Sequence, residues 1–427
     1  MMKKNSFSNL DQDIYTFKLN NGLEVHLIPF KNKKNFYAIL GTKYGSKDIE
    51  FYVDDKCIKT PYGTAHFLEH KMFEMENGVD PFKFFSESGV NTNASTTFDN
   101  TRYYIWGVND LEKNLSYLID FVFSPYFTDT NVNKEKGIIK EEILMYSDDP
   151  DWAMDDEARK NLFYNLPIRE KIAGNVKDIE KITKEDLLNA YNTFYNPSNM
   201  YLVIGGNINV KNIEKLLKEH KLLNSIKKNG NIKRKEYEEA ESVKEEFTKL
   251  YMNVTIPKIR FSIKINKDNF NDFSFIEQNM YLGVIISSLF GTTSDFKEKV
   301  TKDGLTSGFY VEKNSFYNYL TLDISAESDK ADMFIDEVKK TLSNIKIKAS
   351  DLERIKKVWI ASEIRMIDNI ELTVDNVYND LITYDNVYLD RINIIKCLNI
   401  KKLNKFIKHL DLSNQSLVMI LPSEKNM

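Results

Sequence analysis

Apolar and polar residues alternate along several stretches of the first half of the chain, which is the pattern of β-strands. Two such runs fill Ile14–Phe30 and are separated by the turn-forming residues Asn20–Gly22, so this segment predicts a β-hairpin. Phe36–Tyr44 and Arg102–Val108 predict two further strands, and the apolar run Tyr201–Ile208 predicts a buried one. These strands predict a sheet in this half of the chain.

Between the strands, apolar residues recur at intervals of three and four, as they do on the buried face of an amphipathic helix. The segments with this spacing are Thr64–Glu76, Leu111–Val122, Asn133–Tyr146 and Lys184–Phe194. Strands and helices of this kind predict an α+β domain in which helices cover a mainly antiparallel sheet.

A charged stretch with few branched apolar residues follows, and it predicts a solvated linker over residues 223–247. The limits of the two domains are then 1–222 and 248–427. Strand and helix patterns resume after the linker at Asn253–Ile265, Phe275–Phe290, Gly308–Glu312, Tyr317–Ala326, Lys330–Asn344 and Ala349–Asn369. This order resembles the first half, so we expect two similar domains from an internal duplication, closing on a substrate as a clam-shell.

Composition narrows the class of protein. The 427 residues are 42% hydrophobic and 29% charged, as in a globular protein that buries real cores. A net charge of −4 from interspersed acidic and basic residues predicts neither a nucleic-acid nor a membrane partner. Met1–Asp13 lacks the apolar core of a secretory signal, and two distant cysteines give no disulfide framework, so a cytoplasmic protein is expected.

The segment with the clearest chemistry is HFLEH, at residues 66–70. On a helix, His66 and His70 stand four residues apart, so both rings can reach one metal ion from the same face. Glu69 lies close to that face, where a general base acting on a metal-activated water would stand. A chance match on an ordinary amphipathic helix is the alternative, because the pattern is short. A catalytic zinc site also needs a third protein ligand.

A second predicted helix supplies carboxylates for that third ligand. Glu135 and Glu142 are seven residues apart, close to two helical turns, so they share a face, while Glu141 is rotated by about 100° from Glu142. We assign Glu142 as the metal ligand and expect Glu135 to orient a ligand or balance charge from outside the ligand set. All three glutamates could instead be solvated surface charges, and for Glu141 that interpretation is preferred.

Gly63–Phe73, GTAHFLEHKMF, resembles the metal-binding helix of the pitrilysin or insulinase family of metallopeptidases, the inverzincins. Further blocks agree in order, namely Tyr44–Ser46, Gly89–Thr97, the Glu135 and Glu142 pair, and Tyr195–Met200. The resemblance covers nearly all of Ile14–Val210. Chain length and the segment around Glu142 are more similar to the short bacterial members related to processing peptidases than to the very long ones.

The resemblance implies one zinc ion bound by His66, His70 and Glu142, with Glu69 as base and then acid. It also implies that Asn93, Ala94, Ser95 and Thr96 form an exposed edge strand to which an extended peptide adds. Asn93 would contact the peptide backbone, although plain sheet structure is the alternative for this strand. His and Glu ligands can also hold cobalt or manganese, so zinc is the expectation of the family.

The second half departs from the family pattern. Typical members carry an Arg and a Tyr, seven residues apart, that stabilise the oxyanion, and the aligned positions here are Val300 and Ser307. Neither side chain can replace that pair, and Tyr310 is a displaced candidate. Some members work as two different subunits, so the resemblance implies a heterodimeric partner that supplies the Arg/Tyr pair.

Together these patterns predict a cytoplasmic zinc metalloendopeptidase that cleaves short or unfolded peptides. The alternative is a non-catalytic or half-site peptide-binding subunit of a heterodimeric peptidase. Retention of His66, Glu69, His70 and Glu142 favours the enzyme, whereas Val300 and Ser307 favour the alternative.

Overall fold

The structure, a computed structural model, describes residues 2–8, 10–53, 55–230 and 232–423. Residues 1, 9, 54, 231 and 424–427 fall within the predicted domains and linker but lie outside the described residues. The chain divides into two compact units. Unit 1 comprises Met1–Ile143, Lys171–Glu236 and Ser362–Ile392, and unit 2 comprises Leu144–Glu170, Tyr237–Ala361 and Asn393–Met427.

The strands, in chain order, are β1 Lys3–Ser6, β2 Asp13–Lys18, β3 Glu24–Pro29, β4 Phe36–Thr42, β5 Glu50–Val53, β6 Lys56–Lys59, β7 Val90–Thr96, β8 Thr101–Gly107, β9 Met200–Gly206, β10 Lys233–Arg234, β11 Phe247–Met252, β12 Lys258–Asn266, β13 Phe309–Phe316, β14 Tyr319–Glu327 and β15 Gln415–Pro422. The strands predicted from alternating residues in both halves are among them.

The helices, in chain order, are α1 Thr64–Met72, α2 Pro81–Glu87, α3 Leu111–Val122, α4 Asp129–Ser147, α5 Pro150–Leu162, α6 Val176–Lys181, α7 Lys184–Phe194, α8 Val210–Glu219, α9 Lys221–Ser225, α10 Phe275–Phe290, α11 Asp295–Lys302, α12 Ala331–Ser343, α13 Ala349–Ile367, α14 Ile370–Tyr384, α15 Arg391–Cys397 and α16 Ile400–His409. Every helix predicted from apolar spacing is present, although α1 ends at Met72, before the predicted limit of Glu76.

Unit 1 contains a seven-stranded sheet in the order β1-β2-β3-β9-β4-β8-β7, with β7 at one edge. Strand β3 pairs with β9 in parallel and the other neighbours are antiparallel. The predicted hairpin is β2–β3, in which Tyr15 pairs with Leu27. A small second sheet, β10-β5-β6, belongs to the same unit. Unit 2 contains a five-stranded sheet, β11-β15-β12-β14-β13, in which only the β11–β15 pair is parallel. Two α+β units with mainly antiparallel sheets confirm the predicted fold class.

Helices from distant parts of the chain complete each unit, so the predicted domain limits at 222 and 248 differ from the compact units. Helix α14 packs its apolar stripe, which includes Val374 and Tyr378, on the face of the unit 1 sheet formed by Ile39 and Val203. Gly41 on β4 makes this possible, because a Cβ atom there would meet the Tyr378 hydroxyl at 2.0 Å. Alternation along strands does not reveal which helix covers the second face of a sheet.

Helix α5 packs on the sheet of unit 2, as α14 does on the sheet of unit 1. Met154 and Ala158 on α5 pack against Val418 and Ile420 of β15 and against Val254. The apolar area that this removes from water stabilises the unit 2 sheet.

The segment predicted as a solvated linker carries buried charges. In unit 1, Arg234 donates from Nε to Oδ1 of the buried Asp48, at 2.7 Å. In unit 2, the buried Glu239 carboxylate accepts the backbone N–H groups of residues 164–166 and an ion pair from Lys264 Nζ at 2.7 Å. The mixed charges of this segment are typical of a solvated surface, but here residues from elsewhere in each unit pair with Arg234 and Glu239.

Among the helices of the described residues, none has the length and apolar character needed to cross a membrane.

Candidate metal centre

Helix α1 of unit 1 presents the HFLEH residues. It begins after Gly63, whose φ of 87° is a left-handed conformation that favours glycine, and a Cβ atom there would meet the carbonyl oxygen of Ala173 at 2.3 Å. Phe67 and Leu68 are fully buried in the core of the unit. That packing fixes the helix and leaves the opposite side, with His66, Glu69 and His70, only partly buried.

The two imidazole rings of this helix stand side by side. The ring centroids of His66 and His70 are 4.6 Å apart, and the ring planes meet at 64°. This is the arrangement that a spacing of four residues on a helix predicts. Both Nε2 atoms face the same carboxylate, that of Glu142.

Helix α4 brings that carboxylate. The helix begins with a reciprocal pair of hydrogen bonds, in which the Thr128 N–H donates to Asn131 Oδ1 and the Asn131 N–H donates to Thr128 Oγ1. Ile139 and Ile143 bury one stripe of the helix in the core. Glu135 and Glu142 border this stripe on the side of α1, whereas Glu141 is exposed.

The distances between donor atoms fit a divalent metal ion. His66 Nε2 lies 3.7 Å from Glu142 Oε1, and His70 Nε2 lies 3.5 Å from Glu142 Oε2. Each of the three residues offers a ligand atom within 4.8 Å of the others. Two ligand atoms that each lie about 2.0–2.2 Å from one zinc ion are at most about 4.4 Å apart, so both measured pairs fit. Two imidazoles and one carboxylate are also a donor set that suits zinc.

The two histidines differ in the surroundings of their second nitrogen. His66 Nδ1 is buried and, within the described part of the chain, has no hydrogen-bond partner. Burial and the neighbouring His70 lower the pKa of His66 to about 3, so this imidazole is neutral and able to ligate. His70 Nδ1 instead lies 3.2 Å from Glu135 Oε1. Burial alone would lower the pKa of His70, but the hydrogen bond to Glu135 and the nearby carboxylates outweigh it and raise the pKa.

Glu69 is held by a residue of the edge strand. The Thr96 hydroxyl donates to Glu69 Oε2 at 2.5 Å. Burial raises the pKa of Glu69 above its ordinary value, and the Glu142 carboxylate acts in the same direction, while the Thr96 hydrogen bond and His70 oppose them. A carboxylate with a raised pKa beside two candidate metal ligands can serve as a general base.

Strand β7, which contains Asn93, Ala94, Ser95 and Thr96, is the edge of the unit 1 sheet beyond β8. The Ala94 N–H donates to Asn93 Oδ1 at 2.9 Å. An edge strand presents backbone groups that can pair with a further strand. The structure therefore places the four predicted substrate-binding residues on one open edge, and Thr96 also reaches the candidate base.

Unit 2 carries the residues that depart from the family pattern. The side chain of Val300 on α11 is completely buried, so it cannot contact a ligand. Ser307 and Tyr310 line a pocket of about 470 Å³ together with Lys258 and Arg260. Tyr310 is 77% exposed.

One residue and one contact of unit 1 were not predicted from the sequence. Lys71 is fully buried next to the site, with Nζ 3.7 Å from Glu135 Oε2. The sequence does contain a signal for this burial, because Lys71 falls between Phe67 and Leu68 around the helix axis, on an otherwise apolar face. Thr96 was predicted to bind substrate, and its contact with Glu69 had no sequence signal because the two residues lie on separate elements.

Two protein-family models match parts of this chain. A family model described as Insulinase (Peptidase family M16) matches residues 59–175, which include His66, Glu69, His70, Glu135 and Glu142. A second model, described as Peptidase M16 inactive domain, matches residues 181–358.

Individual relatives extend the match over most of the chain. An uncharacterized zinc protease of Bacillus subtilis strain 168, YmfH, is 34% identical over 364 residues, which are 84% of each chain. The crystal structure of a protein described as M16-like, from Alicyclobacillus acidocaldarius, is 30% identical with a TM-score of 0.91 and covers 98% of this chain and all of that one. Pitrilysin shares the fold, with a TM-score of 0.75 at 16% identity over 98% of this chain and 46% of its own. The chain therefore belongs to the insulinase family of peptidases, family M16.

Proposed function

We propose that this protein is a zinc-dependent endopeptidase that hydrolyses short or unfolded peptides. One observation carries the proposal, the convergence of His66 Nε2, His70 Nε2 and the Glu142 carboxylate beside Glu69. Relatives that are named zinc proteases support the choice of metal.

His66, His70 and Glu142 would hold one zinc ion and leave a position for water or substrate. Zinc bound there would polarise the scissile carbonyl and lower the pKa of the attacking water. Glu135 would keep the His70 Nδ1–H bonded, so that Nε2 presents its lone pair.

Glu69 would carry the proton. Its Oε2 is bonded to Thr96, so we assign Oε1 as the atom that accepts a proton from the attacking water. The water oxygen bonds to the carbonyl carbon, the C–N bond breaks, and Glu69 delivers the proton to the leaving amine nitrogen. The base is thereby restored, and the sum of the steps is hydrolysis.

The substrate would bind as an extended strand along β7. Main-chain hydrogen bonds to this edge favour any peptide that can extend and disfavour folded proteins. The Asn93 side chain would turn from the Ala94 N–H to the peptide backbone when substrate binds.

A partner is part of this proposal. Because Val300 is buried and Ser307 has only a short hydroxyl side chain, we propose a heterodimer with a related subunit that supplies the Arg/Tyr pair. The second candidate function is a half-site or non-catalytic peptide-binding subunit, and the same observation favours it. A cytoplasmic location stays a prediction.

Cleavage of a quenched fluorescent peptide library by the purified chain tests the proposal. We expect cleavage that a chelator abolishes and that stoichiometric zinc restores. If the chain binds zinc and peptide but cleaves only after a related subunit is added, it is a half-site enzyme. Cleavage that persists after the metal has been removed would refute the zinc mechanism, and zinc binding without cleavage under either condition would leave the peptide-binding function.

A further inference from the structure

Lys71, directly after the metal-binding His70, is a charged residue in an apolar environment. Its side chain has no exposed surface. On α1 it falls between the fully buried Phe67 and Leu68 around the helix axis. A lysine buried in this way is retained only where its charge is paired, because an unpaired ammonium is poorly accommodated away from water.

Two carboxylates pair with this lysine. Lys71 Nζ donates to Glu74 Oε2, one turn further along the chain, and lies 3.7 Å from Glu135 Oε2 on α4. Glu74 is partly exposed, whereas the Glu135 side chain is 12% exposed. The lysine therefore lies between a partly exposed carboxylate, Glu74, and the more buried Glu135 carboxylate next to the metal centre.

Glu135 has a different partner on each oxygen. Its Oε1 lies 3.2 Å from His70 Nδ1, and its Oε2 faces Lys71 Nζ. Two partners on opposite oxygens fix the plane of a carboxylate. That plane determines which nitrogen of His70 carries the hydrogen and where the ring points.

We propose that Lys71 is a positioning residue for the metal centre, which acts by holding Glu135 in the orientation that accepts the Nδ1–H of His70. In the neutral ring, Nε2 of His70 is then free of hydrogen and directed at the metal position. The inference rests on the metal site of the proposed function. It adds to that function the Lys71 ammonium, which is present whether or not metal is bound. His70 is therefore oriented by Glu135 before metal binds.

The balance of charges around the site indicates that Lys71 contributes electrostatically as well as by packing. Glu69, Glu135 and Glu142 bring three carboxylates to this part of unit 1. Among the described residues, the cation beside Glu135 is the Lys71 ammonium, with Nζ 3.7 Å from Oε2. A methionine at position 71 would fill similar space but could not pair with the Glu135 carboxylate or hold its orientation.

Zinc affinity of the metal-free protein, measured by competition with a chromophoric chelator, is the first test. We expect K71M to bind zinc about 10- to 100-fold more weakly than the wild type, the usual loss when a group that orients a ligand is removed. The double variant K71M/E135Q should bind no more weakly than E135Q. The matched control is E74Q, which removes the other partner of Lys71 and should bind zinc as the wild type does.

Two results of this test would overturn the inference. Equal zinc affinity of K71M and wild type would make Lys71 a packing residue. Losses that multiply in the double variant would show that Lys71 acts independently of Glu135.

The second test needs no substitution at position 71 and therefore survives a variant that fails to fold. Nitrogen-15 NMR of the metal-free wild type, recorded at rising pH until the His70 ring is neutral, identifies its tautomer, with H70N used for assignment. A hydrogen on Nδ1 is expected, and a hydrogen on Nε2 alone would overturn the inference. If the wild type binds no zinc, the proposed function fails, while the tautomer still decides the contact with Glu135.

Discussion

Thr96 on the edge strand β7 donates its hydroxyl to Glu69 on α1, with Oγ1 and Oε2 2.5 Å apart. The strand that we assign to substrate and the side chain that we assign to proton transfer are thus in direct contact. A peptide that pairs with β7 would be aligned with the base by the same residue.

Replacing Thr96 tests this contact. T96V removes the hydroxyl at nearly constant volume and should lower kcat/KM about 10- to 100-fold, because hydrogen bonds to charged groups contribute about 1.5–3 kcal/mol. T96S keeps a hydroxyl and should stay close to the wild type. Kinetics on one quenched peptide measure both, and equal losses in T96V and T96S would contradict a hydrogen-bonding function.

The pH dependence of the same variants has a defined direction. Burial raises the pKa of Glu69, and the Thr96 hydrogen bond works against that rise by stabilising the ionised form. Loss of the bond in T96V therefore raises the pKa further. Because the base must be ionised, the acid limb of kcat/KM should move to higher pH in T96V and not in T96S. Bound zinc lowers this pKa in all variants, so the comparison between them isolates the hydrogen bond.

The choice between the two adjacent glutamates of α4 is open to direct measurement. Glu142 lies 3.5 Å and 3.7 Å from the two histidine Nε2 atoms, whereas Glu141 is exposed. E142Q should weaken zinc binding by more than about 100-fold, since removing a ligand costs more than removing a group that only orients one. The matched control E141Q should bind normally, and a loss in E141Q instead would refute the assignment.

Backbone methylation of the substrate tests pairing with β7. Alternate residues of a strand direct their amides to the same side, so only every second peptide N–H would face this edge. Peptides methylated on those nitrogens should be cleaved poorly, while methylation at the intervening positions should have little effect. A series of mono-methylated peptides measures this, and equal sensitivity at all positions would contradict strand addition.

The buried ion pair of unit 2 makes a prediction about stability. Lys264 has no exposed side-chain surface and donates to Glu239 and to the carbonyl oxygens of Ala240 and Ser242. K264M leaves a buried carboxylate without its cation and should lower the free energy of unfolding by about 3–5 kcal/mol.

Urea denaturation measures this loss, and K340M, at a lysine whose side chain is 73% exposed, is the control with an expected change within about 0.5 kcal/mol. Adding E239Q to K264M should recover part of the stability, because the glutamine removes the buried charge while its single oxygen can still accept from the Asn165 and Leu166 amides. Equal free energies of unfolding for K264M and K340M would show that the Lys264–Glu239 pair does not stabilise unit 2.

Much of this architecture could be predicted because the relevant signals are local. The spacing of His66 and His70 requires only helical geometry, and the seven-residue interval between Glu135 and Glu142 places both at the α1 side of α4. The strands and helices with regular apolar spacing could be predicted for the same reason.

Contacts between distant segments could not be predicted in this way. Helix α14 joins the unit 1 sheet because Gly41 leaves room for Tyr378, which no local pattern reveals. Charges at Arg234 and Glu239 resembled a solvated linker until their partners were known. Lys71 directly follows His70 in the sequence, but its burial against Glu135 depends on how α4 packs.

Cleavage by wild type and E69Q, each loaded with zinc, tests the central claim most directly. Glutamine keeps the shape of Glu69 but cannot accept the proton, so E69Q should retain about one zinc per chain and lose about 10²- to 10⁴-fold in kcat/KM. If a partner subunit is required, the comparison is made in its presence. Zinc binding with activity lost in E69Q is the predicted result, and an E69Q protein that cleaves as fast as the wild type would contradict the account.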